Sequence, residues 1–231
     1  MPLFNYYPSD PSGYDPDLEK KIFRHSLVLP GFFLFLFFLV KIIEQTLGLD
    51  FTTGGIFPRH IKGLPGILLS PFIHSDFNHL ASNSLPFLLL FFILIYFYRA
   101  ISYQIFFLIF LISGTCVWLG GRESWHIGAS GLVYGMAAFH FVSGIIRSDI
   151  RLLTITVVVV FLYGGMIWGV FPIFPGISWE SHLWGGMAGV ILAFFYRRYE
   201  IRRNKYDWED EEEEDEDELK DELKDEAKEP E

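Results

Sequence analysis

Long apolar runs separated by polar connections cover most of this chain. Six such runs occupy residues 27–47, 77–98, 101–119, 129–146, 152–170 and 181–196. Each is near the roughly 20 residues that an α-helix needs to cross a bilayer. The pattern predicts an all-α membrane protein with six transmembrane helices. The connection between the first two runs, 48–76, stands apart. It is long and rich in Gly and Pro, yet it holds apolar pieces such as 64–73. Connections of that length are usually functional, and this one is expected to lie in or on the outer leaflet. The fourth run is short. A helix over 130–146 is about 25 Å long at 1.5 Å per residue, against a hydrocarbon core of about 30 Å. With Ile146 at the cytoplasmic interface, Ser130 starts below the outer surface and the preceding loop dips into the membrane. Such backbone survives only when buried in protein or lining a wet cavity.

Basic residues orient the runs. Lys20, Lys21 and Arg24 precede the first, Arg99 lies between the second and third, and Arg147 and Arg151 flank the turn from the fourth to the fifth. Arg197, Arg198, Arg202, Arg203 and Lys205 follow the sixth. All fall on one side if both termini are cytoplasmic; the opposite loops hold only Arg59, Lys62 and Arg122, besides Lys41 near a span end. The first 20 residues are polar and turn-rich rather than a basic stretch before a short apolar core, so no cleavable signal peptide is expected. The formal charge of −10 is uneven: residues 207–231 hold 17 acidic residues and three lysines, a net of −14 that leaves +4 for residues 1–206. Three regions are therefore expected: a flexible cytoplasmic arm (1–26), a membrane domain (27–198), and a basic juxtamembrane segment with an acidic tail (199–231). The tail reads as a solvated, disordered or partly helical segment, with binding of a cytoplasmic partner as the second reading. Its internal Lys-Asp-Glu-Leu is not terminal and is no retention signal. The charge disfavours nucleic acid as a partner.

Polar residues inside the runs are few, and such residues are functional candidates by default. Ser130 lies between two small residues, in Gly128-Ala-Ser130-Gly131, where a polar loop becomes an apolar run. Taken alone, that stretch is read equally well as a helix cap or as a presented hydroxyl. His79 and Asn83 are four apart and share one helix face, with Ser75 and Asp76 as caps for that helix. Gly131 and Gly135 form one small-xxx-small face, and Gly185 and Gly189 another; such faces let helix backbones approach closely. Docking them would bring Ser130 and His182 to one depth, with Tyr134 on the Ser130 face and able to pack on the His182 ring.

The chemistry is then coherent. A serine hydroxyl needs a base to take its proton, and His182 is placed to do so. No Asp or Glu stands out as a third member, so a dyad is expected. The oxyanion needs fixed donors; the Ser130 N–H at a helix start is one, and the side chains of His79 and Asn83 are others. No His-Glu-xx-His string occurs, which disfavours a zinc protease, and paired intramembrane acids for an aspartyl mechanism are missing. Neither a metal nor a cofactor is expected. A transporter would need polar groups along a through-path, whereas these cluster at the outer ends of three helices.

With His74-xxxx-His79-xxx-Asn83, Gly128-Ala-Ser130-Gly131 followed by Tyr134, and His182-xx-Gly185-xxx-Gly189 in this order, the chain resembles the rhomboid family of intramembrane serine proteases over residues 27–198. The resemblance implies a six-helix rhomboid-like bundle with a long first outer loop. It implies Ser130 as nucleophile, His182 as base, and His79 and Asn83 as oxyanion-stabilising side chains. It also implies Tyr134 packed on the base and His74 in support. Substrates would be single-pass membrane proteins, cut near the outer face of the bilayer, and the setting a bacterial inner membrane. The fifth helix and residues 171–180 would correspond to the moving gate and cap. The alternative is an inactive rhomboid-like protein that binds or retains client membrane proteins. The family's Trp-Arg pair in the first outer loop is missing, since that loop has no Trp and Arg59 is followed by His60. Outside the motif, His140 reads as a satisfied interior histidine, His126 as a loop residue near substrate or structure, His25 and His60 as interfacial, and Cys116 as a small packed residue. Lys41 and Glu44 are expected to pair on one helix face.

Overall fold

The computed structural model describes residues 16–162, 168–173 and 176–199, and all regular elements among them are helical. Seven α-helices follow in order: α1 (Pro16–Leu47), α2 (Gly66–Leu69), α3 (Phe77–Phe97), α4 (Ser102–Gly120), α5 (Ser130–Arg147), α6 (Ile150–Leu162) and α7 (Trp179–Phe195). Three of them, α1, α3 and α4, are long and apolar enough to cross a membrane by length and composition alone. In lipid a helix is the natural form for such runs, because it satisfies every backbone group internally.

Several boundaries differ from the sequence expectation. α1 begins at Pro16, so residues 16–26, assigned to a flexible arm, are helical where the structure describes them. The fifth apolar run was expected to continue to residue 170; α6 is described to Leu162, and Trp168–Val170 forms a separate 3-10 turn. α7 starts at Trp179, so the end of the expected cap loop belongs to a helix. Residues 163–167 of the fifth run, the first fifteen residues and the acidic tail lie outside the described residues.

The chain divides into two compact units, one of residues 21–200 and one of the terminal stretches 1–20 and 201–231. Of the second, the described part is the first turn of α1, where Lys20 and Asp17 face each other at 3.3 Å in solvent. In the first, α5 is the central helix. It packs along α7 most extensively and also touches α3, α4 and α6. A phenylalanine cluster joins α1, α3 and α4: Phe33 lies within about 6 Å, centroid to centroid, of Phe37, Phe72, Phe87, Phe91 and Phe106. Phe91 and Phe106 stack at 4.0 Å. At the opposite end of the α5–α7 pair, the Arg147 guanidinium donates to the carbonyls of Tyr196 (2.7 Å) and Tyr199, closing the C-terminal end of α7. His140 is fully buried on α5, with Nε2 bonded to the Leu90 carbonyl of α3 at 3.0 Å.

The connection between α1 and α3, residues 48–76, is a folded object. A Cβ on Gly63 would overlap the backbone of Phe57, and one on Gly66 would overlap the backbone of Gly55. The loop thus crosses itself at two positions that only glycine can fill. Ile56 and His126 exchange both backbone hydrogen bonds, at 3.0 and 2.8 Å, tying this loop to the one before α5. Arg59, in the left-handed region at φ 60°, donates to the Gly121 carbonyl (3.0 Å).

A buried strut fixes both ends of that loop. Lys41 Nζ donates to Glu44 Oε2 (2.6 Å) and to the carbonyls of His74 and Ser75 (2.9 Å each). Glu44 Oε1 accepts the Phe51 N–H at 2.9 Å. The expected helix-face pair is therefore also a cross-link from α1 to the start of α3. Removing one half of a buried pair strands the other, at a cost of about 3–5 kcal/mol. Lys41→Met is expected to lose about that much, and the double variant Lys41→Met, Glu44→Leu to regain part of it. Reversible unfolding in mixed micelles, followed by tryptophan fluorescence, measures both; a loss below about 1 kcal/mol would put the pair on a level with surface pairs that tie nothing together.

Candidate active site

Ser130 is the first residue of α5. Its predecessor Ala129 is the N-cap and makes no side-chain cap bond. Of the two readings of this stretch, cap or presented hydroxyl, the hydroxyl is the one that makes a contact across helices. It is 8% exposed and lies 2.8 Å from His182 Nε2, on the first turn of α7. The other ring nitrogen, His182 Nδ1, is 2.7 Å from the carbonyl oxygen of Gly169. Tyr134 stacks on the imidazole, with centroids 4.1 Å apart and planes within 7°.

Glycines make this approach possible. A Cβ on Gly185 would overlap the Gly131 carbonyl, and one on Gly189 the Gly135 carbonyl. A Cβ on Gly131 would stand 3.2 Å from the Ser181 carbonyl oxygen, and one on Gly135 3.1 Å from that of Gly185. The two small faces interlock over two turns, and their register sets Ser130 opposite His182.

The second helix face reaches the site from α3. Asp76 caps that helix, its Oδ1 accepting the His79 N–H at 2.9 Å. That bond, with the Ser75 hydroxyl on Oδ2, holds the exposed Asp76 carboxyl below the usual range. The His79 ring lies against Gly128, where a Cβ would come within 2.8 Å of its Cε1 and Nε2; Gly128 also sits at φ +100°. Both facts demand glycine there. Asn83 is buried, and its Nδ2 donates to the His79 carbonyl at 2.9 Å, so its amide braces the turn that carries His79. His74 is buried against the rings of Phe37 (5.6 Å) and His79 (5.1 Å). Burial chiefly, then the neighbouring His79, lowers its pKa to about 3.

Other groups surround the start of α7. His126 is 1% exposed, with Nδ1 bonded to the Ser178 hydroxyl and Nε2 3.1 Å from the Arg122 carbonyl. Burial pulls its pKa down, against the nearby Glu180. Ser178 Oγ continues to Ser181 Oγ at 3.0 Å. Glu180 is buried at 2% exposure; its Oε1 accepts the Arg122 N–H (3.3 Å) and faces Arg122 Nε at 3.5 Å. Arg122 also donates to the Ile177 carbonyl at 2.7 Å.

Gly169, Glu180 and the His126 bridge were missed in the sequence. A backbone acceptor has no side-chain signature, and Glu180 looked like a loop carboxylate. Its place one residue inside α7 was the available signal. Among the described residues, no three His, Cys, Asp or Glu side chains converge as metal ligands. The arrangement can move a proton from a buried hydroxyl to an imidazole next to backbone donors at a helix start.

Comparison with known proteins agrees in family. The Rhomboid domain matches residues 63–199. An uncharacterized protein of Mycobacterium tuberculosis is 34% identical over 171 residues, 70% of this chain and 71% of that protein. An uncharacterized protein of Mycobacterium leprae is 31% identical over 196 residues, 79% of this chain and 77% of its own. Glycine-locked helices, a polar site at their ends and a domain match over more than half the sequence lead to one assignment: this multi-pass helical membrane protein belongs to the rhomboid family.

Proposed function

We propose that the chain is an intramembrane serine endopeptidase that hydrolyses peptide bonds in or near the transmembrane helices of single-pass membrane proteins. The observation that carries this reading is the buried 2.8 Å hydrogen bond between Ser130 and His182. Ser130 is the nucleophile: its Oγ attacks the scissile carbonyl carbon while His182 Nε2 takes the proton. The same imidazolium then returns that proton to the leaving amine, and water hydrolyses the acyl-enzyme. Tyr134 holds the ring flat. The Ser130 N–H and the side chains of His79 and Asn83 are the donors for the tetrahedral oxygen, with His74 packed behind His79.

The reading carries a topology. Six helices (α1 and α3 to α7) cross a bacterial inner membrane with both termini cytoplasmic, and the site opens to the outer face. α6 and the segment before α7 form the side that moves for substrate, and the acidic tail stays in the cytoplasm.

A fluorophosphonate tests the core of this. Attack by an activated Ser130 forms an Oγ–P bond and expels fluoride. Purified protein in detergent is expected to label at Ser130, as located by peptide mass spectrometry, and Ser130→Ala is expected not to label. A folded wild-type protein that never labels would instead point to the inactive, client-binding alternative.

A further inference from the structure

Among the described residues no carboxylate is bonded to His182, yet its second nitrogen is not idle. Nδ1 lies 2.7 Å from the Gly169 carbonyl oxygen. A carbonyl oxygen only accepts, so the ring must place a proton on Nδ1. In a neutral imidazole that leaves Nε2 as a bare acceptor, facing the Ser130 hydroxyl at 2.8 Å. Resting on the reading of this site as a hydrolase, we propose that the Gly169 backbone carbonyl is the third element of the catalytic group. It fixes the tautomer and aim of His182, as a carboxylate would in a triad.

The geometry around Gly169 gives the assignment further support. A Cβ there would overlap the Tyr134 hydroxyl and stand 2.9 Å from His182 Nδ1. The residue is buried and sits in the short turn Trp168–Val170, outside both helices that carry the dyad. The Tyr134 stack thus fixes the plane of the ring, and the bond to Gly169 fixes its rotation within that plane. When Ser130 gives up its proton, Nε2 gains it and Nδ1 keeps its own. The positive charge then formed on the ring points its Nδ1–H at the carbonyl dipole, an arrangement already in place before the reaction. Gly169 is a positioning residue; it touches the base, not the substrate.

The test combines a steric push with a spectroscopic readout. Wild type and Gly169→Ala are labelled with 15N-histidine in detergent micelles, and the His182 signals are assigned by comparison with His182→Gln. Wild type is expected to show one neutral tautomer, protonated on Nδ1. Gly169→Ala is expected to show a mixture or the opposite tautomer, with kcat down by about ten- to a hundredfold and KM within about twofold. Tyr134→Phe supplies the second background. It removes the hydroxyl that the new methyl would strike, so the alanine is expected to cost less there than in wild type. A kcat loss with the tautomer unchanged overturns the proposal, as does an unchanged kcat with a changed tautomer. A tautomer change in Gly169→Ala, together with a wild-type protein that cleaves no membrane substrate, keeps the orienting role and removes the protease reading instead.

Discussion

His182→Ala is expected to cut the cleavage rate of a single-pass substrate by about 10⁴-fold or more, with the bundle still folded. The size follows from what the ring does. Among the described residues, the side-chain partner that can take the Ser130 proton is His182 Nε2, at 2.8 Å. Loss of the ring therefore removes an interaction that strengthens as the proton moves, so kcat should fall while KM changes little. The fold should survive, because the helix pair is held by backbone contacts at Gly185 and Gly189 rather than by the imidazole. What is lost structurally is the stack on Tyr134 and the bond to Gly169, about 1–3 kcal/mol by the usual measure of a buried polar truncation. Single-turnover cleavage in proteoliposomes reads the first effect and unfolding in micelles the second. Cleavage retained within tenfold of wild type would remove His182 from the role of base.

Gly189→Ala is expected to separate α7 from α5 and to abolish activity through distance rather than chemistry. The added methyl would overlap the Gly135 carbonyl and stand 2.9 Å from the Phe139 N–H. Neither obstacle is a flexible side chain, so a helix must shift. Overpacking of this kind costs about 3 kcal/mol or more. Gly186→Ala is the control on the same helix, since a Cβ there meets nothing within 4 Å. It should be neutral or gain up to about 1 kcal/mol from helix propensity. Equal behaviour of the two variants in detergent unfolding and cleavage would mean that the glycine interlock does not set the register of the site.

Much of this site could be read in the sequence because helices are rigid rulers. The four-residue spacing of Gly131 and Gly135, and of Gly185 and Gly189, fixes a face wherever the helix lies. Ser130 at the start of α5 and Asp76 at the cap of α3 followed from the change of pattern at each boundary. Features that depend on non-local backbone were hidden. The acceptor for His182 Nδ1 is a carbonyl thirteen residues upstream, in a turn that apolar periodicity reads as more of the fifth helix. The acceptors for Lys41 lie 33 and 34 residues away, and only the local partner Glu44 was visible. The bond from the Asn83 amide to the His79 carbonyl, which uses one of its two N–H groups, also has no signature in the spacing.

The Lys41 strut also sets an order for assembly. While α1 is being inserted, Lys41 and Glu44 have only each other. The carbonyls that complete the ammonium's shell are on His74 and Ser75, and the N–H that completes the carboxylate's is on Phe51. An unshielded Lys at the middle of a membrane helix costs about 2.5–3.5 kcal/mol on insertion; near a helix end it can keep a hydrated head until partners arrive. Those partners arrive only when residues 48–76 have been made and have folded back. α1 is thus finished by the connection that follows it, and the folding of residues 48–76 completes a helix made before them.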